Sequence, residues 1–364
     1  MLLKLKRIEQ DIEALTCKKI AVIYGGDSKN PNNYIKPPHN ARNSPTYEIV
    51  SLEIKKALEE VGFRSVELMH GGVHLQSDLK QYRPDFAWIN GVGMGGGDPM
   101  SLLPAMMDDL GIPHQFHSPF YAALMDKKNE AKIKMIAHGI KTAPYLLVNH
   151  LETFNPEKLR LFNGKRVVIK PILGRASLHV ELVESKNTQD VLQTIKKIHG
   201  ITGLPIIIEQ FLPGNEYCIA IAGNIIYKQA QFHALGKPWS FSPVQRLLGN
   251  NLLAPSKDKV NYRNDMFKLE TDTALIKQLK EIAEKIFSIF NANTLLRLDL
   301  RMNETGELNV LEVNPKPDMT KPTKTSTGII SIGLADESMQ YNDLILSLLG
   351  DALYRYREQG RPVV

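Results

Sequence analysis

The sequence predicts an α/β protein that changes to α+β organisation in its later part. In the first third, short apolar segments that end in glycine-containing loops alternate with helical patterns, which is typical of a parallel sheet covered by helices. Further along, apolar strands flank another helix, and a segment of alternating charged and apolar residues folds back on itself as a hairpin. The 364 residues suffice for two or three domains, each with its own core.

The composition excludes several classes of protein. With 43% hydrophobic and 23% charged residues, the chain is neither disordered, collagen-like nor a coiled coil. The longest uncharged segments, such as residues 110–125, are shorter than the ~18 apolar residues of a membrane span. A charge follows the first two leucines, so no secretory signal is expected and the predicted location is the cytoplasm.

The charge and the cysteine content limit the binding partners and the structural sites that the sequence supports. Cys17 and Cys218 are isolated, which argues against disulfides and structural zinc. The net charge of +6 comes from dispersed basic residues, and aromatic residues make up only 7%. We therefore expect no nucleic-acid partner and favour an anionic small molecule.

The first elements follow from periodicity. Residues 1–16 form an amphipathic helix, residues 19–24 a buried strand, and residues 46–61 a helix. The segment 29–45, rich in Pro and Asn, is too irregular for regular structure. A loop of this length within a compact domain is usually functional or disordered.

A second strand–loop–helix unit contains many glycines. The strand 85–90 leads into 91–97, and a helix is predicted for 100–110. This loop formally matches the dinucleotide fingerprint, but the helix begins three residues too late. We interpret the loop, with Gly96, as bare backbone suited to an anion or a substrate carboxylate.

The central and later elements are also periodic. A helix is predicted for 126–139, and the strands 167–171 and 205–209 flank a helix at 188–199. A long helix covers 273–290, with Thr271 or Asp272 as its cap.

The most informative segment is the hairpin at 295–315. Strand alternation places Arg297, Asp299 and Arg301 on one face. If Asn303 pairs with Leu308, Asp299 lies opposite Glu312, and Arg297 lies opposite Asn314.

Two carboxylates that face each other across a hairpin repel unless a cation lies between them. An all-oxygen set with few protein ligands suits magnesium bound through phosphate. The alternative is a hairpin with one solvated face, and the metal site is favoured.

Other candidates are weaker alone. Lys170 and Glu209 each end an apolar strand and could be surface residues. The P-loop, nucleophile-elbow and HExxH motifs do not occur, which excludes those mechanisms.

Taken in order, these segments resemble the ATP-grasp carboxylate–amine ligases, and among them the D-alanine–D-alanine ligases. The similarity spans about 20–349 and rests on residues 21–28, 111–118, 125–127, 168–171, 208–216, 297–299 and 311–320. It implies the ATP-grasp fold: an N-terminal parallel-sheet domain, a small central αβ lid and a C-terminal mixed-sheet domain. The implied boundaries are an N-terminal helix at 1–16 and domains at 17–125, 126–213 and 214–364.

The resemblance also implies roles for individual residues. ATP and two magnesium ions would be bound, with manganese as a substitute for magnesium. The implied assignments are Lys127 and Lys170 to the phosphates, Glu209, Gln210, Phe211 and Leu311 to the nucleotide, Glu216 to the ribose, Asp299, Glu312 and Asn314 to the metal ions, and Arg297, Lys170 and Ser177 to catalysis. The implied reaction forms an acyl phosphate that an amine then attacks.

The acceptor half departs from the family pattern. Its paired serines appear as Ala176 and Ser177, its tyrosine partner has no clear match, and a glycine is replaced by Asp318. The implied acceptor set is Asp318, Lys316, Gly96 and Arg246. We expect another amino acid or a small peptide as substrate, and a homodimer by resemblance. The alternatives are D-alanine as substrate, a catalytically silent ATP-binding protein and a small-molecule kinase.

Overall fold

The computed structural model describes residues 2–25, 46–92, 98–175, 177–249, 252–253, 264–323 and 328–361. The long loop 29–45, Gly96 and Ala176 lie outside these ranges, so what the sequence predicts for them stays a prediction. Within the described residues, no helix is both long and apolar enough to cross a membrane.

The helices are α1 (Leu2–Leu15), α2 (Thr46–Glu60), α3 (Leu75–Tyr82), α4 (Leu102–Asp109), α5 (Pro119–Asp126), α6 (Lys128–Ala137), α7 (Thr188–Thr202), α8 (Thr273–Ile289), α9 (Ile329–Asp336) and α10 (Tyr341–Glu358). The strands are β1 (Lys19–Tyr24), β2 (Ser65–His70), β3 (Phe86–Ile89), β4 (Tyr145–Val148), β5 (Arg166–Pro171), β6 (Glu181–Glu184), β7 (Ile206–Gln210), β8 (Glu216–Ala222), β9 (Ile225–Lys228), β10 (Gln231–Ala234), β11 (Trp239–Ser240), β12 (Val244–Arg246), β13 (Phe267–Leu269), β14 (Leu296–Met302) and β15 (Leu308–Asn314).

The N-terminal sheet is parallel, with the order β2-β1-β3, as the strand–loop–helix alternation predicts. β1 is buried because helices cover both faces of the sheet. The appended helix α1 packs its apolar face, with Ile8 and Leu15, against the same core as α10. An ion pair between Arg357 and Asp11 joins these two helices.

The second unit, which we call the lid sheet, has the order β4-β7-β5-β6, and all its pairs are antiparallel. α7 covers one face and buries Val191, Ile195 and Ile198 against the strands. The helix ends at Gly203, whose φ of +66° is the left-handed conformation that glycine adopts at low cost.

The third unit is a larger sheet with the order β13-β12-β8-β14-β15, and β11 pairs with β8 beside this path. The strand pairs are antiparallel, and an isolated parallel bridge joins Thr142 to Val310. α8 packs on this sheet, and Asp272 Oδ1 caps it by accepting hydrogen bonds from the backbone N–H groups of Ala274 and Leu275. Of the two predicted caps, Thr271 and Asp272, the structure thus confirms Asp272.

The β14–β15 hairpin has the predicted pairs at its site end and a different register at its turn. Arg297 lies opposite Asn314, and Asp299 lies opposite Glu312. A β-bulge then shifts the register, so that Met302, not Asn303, pairs with Leu308. Leu311 is the extra residue in β15. The predicted Asn303–Leu308 pair is therefore wrong.

The central helix also differs from its prediction. The sequence predicts one helix at 126–139. In the structure, α5 ends at Asp126 and α6 begins at Lys128, and Lys127 between them is extended (φ −79°, ψ 106°).

Candidate active site

A cavity lies between the lid sheet and the larger sheet, and it extends to residues that follow β15 and to α2. β5 and β7 contribute Lys170 and Glu209, and the β14–β15 hairpin contributes the face with Asp299 and Glu312. Residues from three separate units thus surround one space, which is the usual setting of a ligand site.

The hairpin positions a charged cluster along one wall. Arg297 donates two hydrogen bonds to Asp299, from Nε to Oδ1 at 2.9 Å and from Nη2 to Oδ2 at 2.8 Å. Asn314 Nδ2 donates to the same Oδ2 at 3.1 Å. Burial would raise the pKa of Asp299, but Arg297 and Arg246 outweigh burial and hold it at about 2. The carboxylate is therefore ionised at neutral pH.

The bulge explains why successive residues of β15 reach the cavity. Strand alternation would place Leu311 and Glu312 on opposite faces. Because the bulge inserts an extra residue, both of them line the cavity together with Asn314. One short segment thus supplies the apolar side chain of Leu311 and the polar side chains of Glu312 and Asn314 to the cavity wall.

Cys218 supports this cluster from β8, a role that the isolated cysteine gave no sign of in the sequence. Its thiol donates to Asp299 Oδ1 at 3.1 Å and accepts from Arg246 Nη2 at 3.4 Å. Burial and the charge of Asp299 raise the pKa of Cys218 to about 12. Cys218 is therefore a neutral hydrogen-bond donor and not a nucleophile.

The lid wall carries a buried group of three charges. Lys170 Nζ lies 2.9 Å from Glu209 Oε2, and Lys132 Nζ lies 3.3 Å from Glu209 Oε1. Burial would raise the pKa of Glu209, but the two ammonium groups outweigh it and the pKa is lowered. Burial lowers the pKa of Lys132, with Glu209 as a partial counterweight. Lys132 was not among the predicted site residues.

The start of β8 forms a second charged group at the other end of the wall. Glu216 is buried between Arg246 Nε at 3.3 Å and Arg301 Nη1 at 3.4 Å. The guanidinium carbons of Arg301 and Arg166 each lie 4.7 Å from the ring centre of Phe211. The strand pattern put Arg301 on the site face, but only the structure brings it to Glu216. Gln210 and Phe211 line the same region, as does Leu311.

The structure places Lys127 apart from the described cavity lining, and its assignment to the phosphates stays a prediction. Its ammonium lies 2.5 Å from Asp98 Oδ1 and does not line the cavity. Lys128 lines it instead, with Nζ 3.4 Å from Glu312 Oε1 and donating to the carbonyl of Gly174 at 3.2 Å. Lys127 is extended between α5 and α6, a conformation that could not be derived from the sequence.

The loop after β5 closes the cavity from one side. Arg175 Nη2 lies 2.7 and 2.8 Å from the two oxygens of buried Asp126, which ties this loop to α5. Ser177 lines the cavity with a φ of +55°. A left-handed non-glycine residue is under local strain, and such residues cluster at functional sites.

The end of the cavity next to α2 carries the predicted acceptor residues. Lys316 Nζ lies 4.2 Å from the ring centre of Tyr47 and donates to Asn90 Oδ1 at 3.3 Å. Asp318 Oδ1 accepts from the N–H and the hydroxyl of Thr320 at 3.2 and 2.6 Å. Arg246, by contrast, lies among Glu216, Cys218 and Asp299 and not at this end.

The donor set fits a magnesium ion that shares its shell with a phosphate. Asp299, Glu312 and Asn314 offer hard oxygen ligands on one wall. Among the described residues, no three His, Cys, Asp or Glu converge as a complete metal cage. Phosphate oxygens and water would therefore have to complete the coordination, which is the usual mode for magnesium.

Comparison with known proteins gives a consistent result. A family model described as "D-ala D-ala ligase C-terminus" matches residues 135–350. The D-alanine–D-alanine ligase of Synechococcus sp. (strain JA-3-3Ab) is 24% identical over 305 residues, 83% of this chain and 87% of the relative. That of Clostridium beijerinckii is 22% identical over 308 residues, 82% of this chain and 92% of the relative.

Solved structures show the same fold. The D-alanine–D-alanine ligase of Bacillus anthracis complexed with ATP superposes with a TM-score of 0.70 at 16% identity, covering 94% of this chain and 99% of that one. The enzyme of Coxiella burnetii gives 0.69 at 15% identity, covering 94% and 97%. The predicted ATP-grasp fold is thereby confirmed.

Proposed function

This chain belongs to the D-Ala D-Ala ligase family, and from this premise we propose that it is an ATP- and magnesium-dependent ligase that joins a carboxylate to an amine. The reaction would pass through an acyl phosphate and release ADP and phosphate. We further propose that its substrates are an amino acid or small peptide other than a pair of D-alanines.

One observation carries the proposal. Asp299, Glu312 and Asn314 share the cavity wall with Arg297, and two lysines, Lys128 and Lys170, face the same cavity. Oxygen ligands next to several fixed cations are suited to a metal-bound triphosphate.

The chemistry follows from the positions of these side chains. A substrate carboxylate oxygen attacks the γ-phosphorus of ATP, ADP leaves, and the carboxylate becomes an acyl phosphate. Lys128 and Lys170 neutralise phosphate charge, and Asp299, Glu312 and Asn314 would hold the magnesium ions that supply further neutralisation. Positioning and charge stabilisation account for most of the catalysis in such transfers, so that no protein nucleophile is needed.

The second step joins the two substrates. The amine attacks the carbonyl carbon of the acyl phosphate, the carbonyl oxygen gains negative charge, and phosphate leaves as the amine loses a proton. Arg297, held in place by Asp299, presents its guanidinium to that oxygen.

The choice of substrate rests on the acceptor end. Lys316 and Asp318 both line the cavity there, two residues apart and of opposite charge. Asp318 brings a carboxylate to a position where the family pattern has glycine. A carboxylate there attracts a cationic amine and repels a second carboxylate.

Phosphate release tests the proposal. The protein is incubated with ATP and magnesium and with D- and L-amino acids and small peptides, offered singly and in pairs. We expect ADP and free phosphate in equal amounts with a particular pair, and a joined product by mass spectrometry.

Turnover with D-alanine alone would contradict the substrate proposal, and ATP binding without turnover across the panel would favour a silent ATP-binding protein. ADP formation with the phosphate retained on the product would identify a kinase.

A further inference from the structure

The buried carboxylate of Glu209 has two lysine partners in very different settings. Lys170 lies at the end of β5, its side chain is 10% exposed, and it lines the cavity. Lys132 lies on α6, its side chain is fully buried, and it is absent from the described lining of the cavity. One carboxylate thus balances one cation that a ligand can reach and one that it cannot.

Contacts hold Lys132 in place. Its ammonium donates to Thr142 Oγ1, and the Thr142 hydroxyl in turn donates to the carbonyl of Val310 at 2.9 Å. The same ammonium lies 5.9 Å from the ring centre of Tyr145. Lys132 is therefore fixed between α6, β4 and β15, whereas Lys170 borders open space.

We propose that Lys132 is a positioning residue, the permanent counterion of Glu209 that leaves Lys170 available to the phosphate groups of a bound nucleotide. This inference rests on the proposed function, because it requires a nucleotide in the cavity. Leaving a buried carboxylate without a partner is costly. With Lys132 present, Glu209 keeps a partner when Lys170 turns to the phosphates; without Lys132, Lys170 stays bound to Glu209.

The test compares ligands with and without phosphates. For the wild type and for Lys132→Met, calorimetry measures the affinity for ATP directly. The affinity for adenosine is measured by letting adenosine compete with ATP. We expect ATP affinity to fall about tenfold or more, in line with close buried charge pairs, and adenosine affinity to change less than about twofold. Lys134→Met is the matched control, because it removes a lysine from the same helix whose ammonium lies 5.9 Å from the ring centre of Tyr121. We expect wild-type affinities for that control.

Neutralising the carboxylate separates positioning from a general loss of structure. In Lys132→Met/Glu209→Gln no carboxylate remains to retain Lys170, so ATP affinity should lie within about threefold of Glu209→Gln alone. This comparison holds even if the single Lys132→Met protein does not fold. A double variant that loses ATP affinity in full would overturn the inference, because Lys132 would then act independently of Glu209.

The outcomes also separate this inference from the proposed function. If the wild type binds no ATP, the proposed function fails, and this inference fails with it. If the wild type binds ATP and Lys132→Met binds ATP equally well, only this inference is overturned. An equal fall for ATP and adenosine would likewise overturn it, since Lys170 serves the phosphates alone.

Discussion

Arg297 meets Asp299 in a two-point contact on one strand face, whereas Lys128 and Lys170, which we propose bind the phosphates, contact other carboxylates. Its planar fork matches the carboxylate and holds the guanidinium at the cavity wall. Replacing it with alanine removes the donor that we propose for the developing oxyanion. We expect Arg297→Ala to lower kcat by about 10²–10³-fold, while the Kd for ATP changes little.

Phosphate release and calorimetry on the same preparation measure the two quantities. Arg297→Lys is the control, because it keeps the charge but not the fork, and an intermediate kcat is expected. A Kd for ATP that worsens in proportion to kcat would mean that Arg297 serves the nucleotide and not the second step.

Asp318 combines a structural contact with a charge, and the two can be separated. Asn at this position keeps the Oδ1 that accepts from Thr320, so the loop should retain its shape. Only the negative charge is lost. If that charge binds a cationic amine, Asp318→Asn should raise KM for the amine substrate about tenfold and leave KM for ATP unchanged.

The matched control is Thr320→Val, which removes the hydroxyl donor to Asp318 and leaves its charge in place. Steady-state kinetics with the amine found in the substrate panel provide the measurement. Unchanged amine selectivity in Asp318→Asn would count against the acceptor role.

Sequence reasoning at the level of residues succeeded where one strand carries the whole pattern. The face shared by Arg297, Asp299 and Arg301 follows from alternation alone. Lys128 could not be found this way, because it follows a break between two helices that the sequence does not show. Lys132 could not be found either, because it pairs with Glu209, far away along the chain. The Lys132–Glu209 pair forms only when the lid sheet packs on α6.

At the level of elements, the hairpin illustrates how a correct result can follow from an incorrect step. Pairing Asn303 with Leu308 gives the observed partners of Asp299 and Arg297 only because the bulge adds one residue to β15. Between the bulge and the turn, each residue of β14 pairs with the β15 residue one position earlier than predicted, and the extra residue Leu311 restores the predicted partners of Asp299 and Arg297. A bulge has no clear residue signature here, so the sequence could not locate it.

Helix α10 carries a buried carboxylate that should give stability a measurable pH dependence. Asp351 Oδ1 accepts from the N–H groups of Asn224 and Ile225, at 2.8 and 3.2 Å, where β8 turns into β9. Burial raises the pKa of Asp351 to about 6, from an ordinary value of 3.8. The folded protein therefore binds this proton more tightly than the unfolded chain does.

The sign follows from that difference. Between pH about 4 and 6 the folded state holds more protons, so the free energy of unfolding falls as pH rises, by up to about 3 kcal/mol from this group. In Asp351→Asn the amide oxygen keeps accepting from Asn224, and this part of the fall should disappear. Urea unfolding at pH 4.5 and pH 7 measures it; an equal fall in both proteins would show that Asp351 is not its source.

At the level of the whole molecule, the cavity exists only because three units meet. Tyr47 comes from α2, Glu209 from the lid sheet and Glu312 from the larger sheet. Local periodicity predicted several elements of each unit, such as β1, α7 and α8, but it gave no prediction for β2, for β8–β13 or for α10. Which side chains face one another across the cavity depends on how the units pack, and here the order of motifs along the chain, by its resemblance to a known family, supplied what periodicity could not.

This arrangement predicts how ligands stabilise the molecule. A nucleotide that binds between the lid and the larger sheet binds only the folded state, and at 100 times its Kd it should raise the free energy of unfolding by about 2.7 kcal/mol. Asp299 and Glu312 would repel a bare triphosphate, so this rise should require magnesium. We expect ATP with magnesium to raise the thermal midpoint by a few degrees, and EDTA to remove most of that rise.

Thermal unfolding with ATP, with magnesium alone and with both, each with and without EDTA, measures this coupling. Glu312→Gln keeps the size of the side chain and removes one anionic ligand, so its ATP-dependent rise should need a higher magnesium concentration. If ATP stabilised the wild type equally in EDTA, the oxygen cluster would have no part in metal binding. The lysines of the lid and α6 would then suffice to bind the nucleotide, and the hairpin would serve only the amine-transfer step.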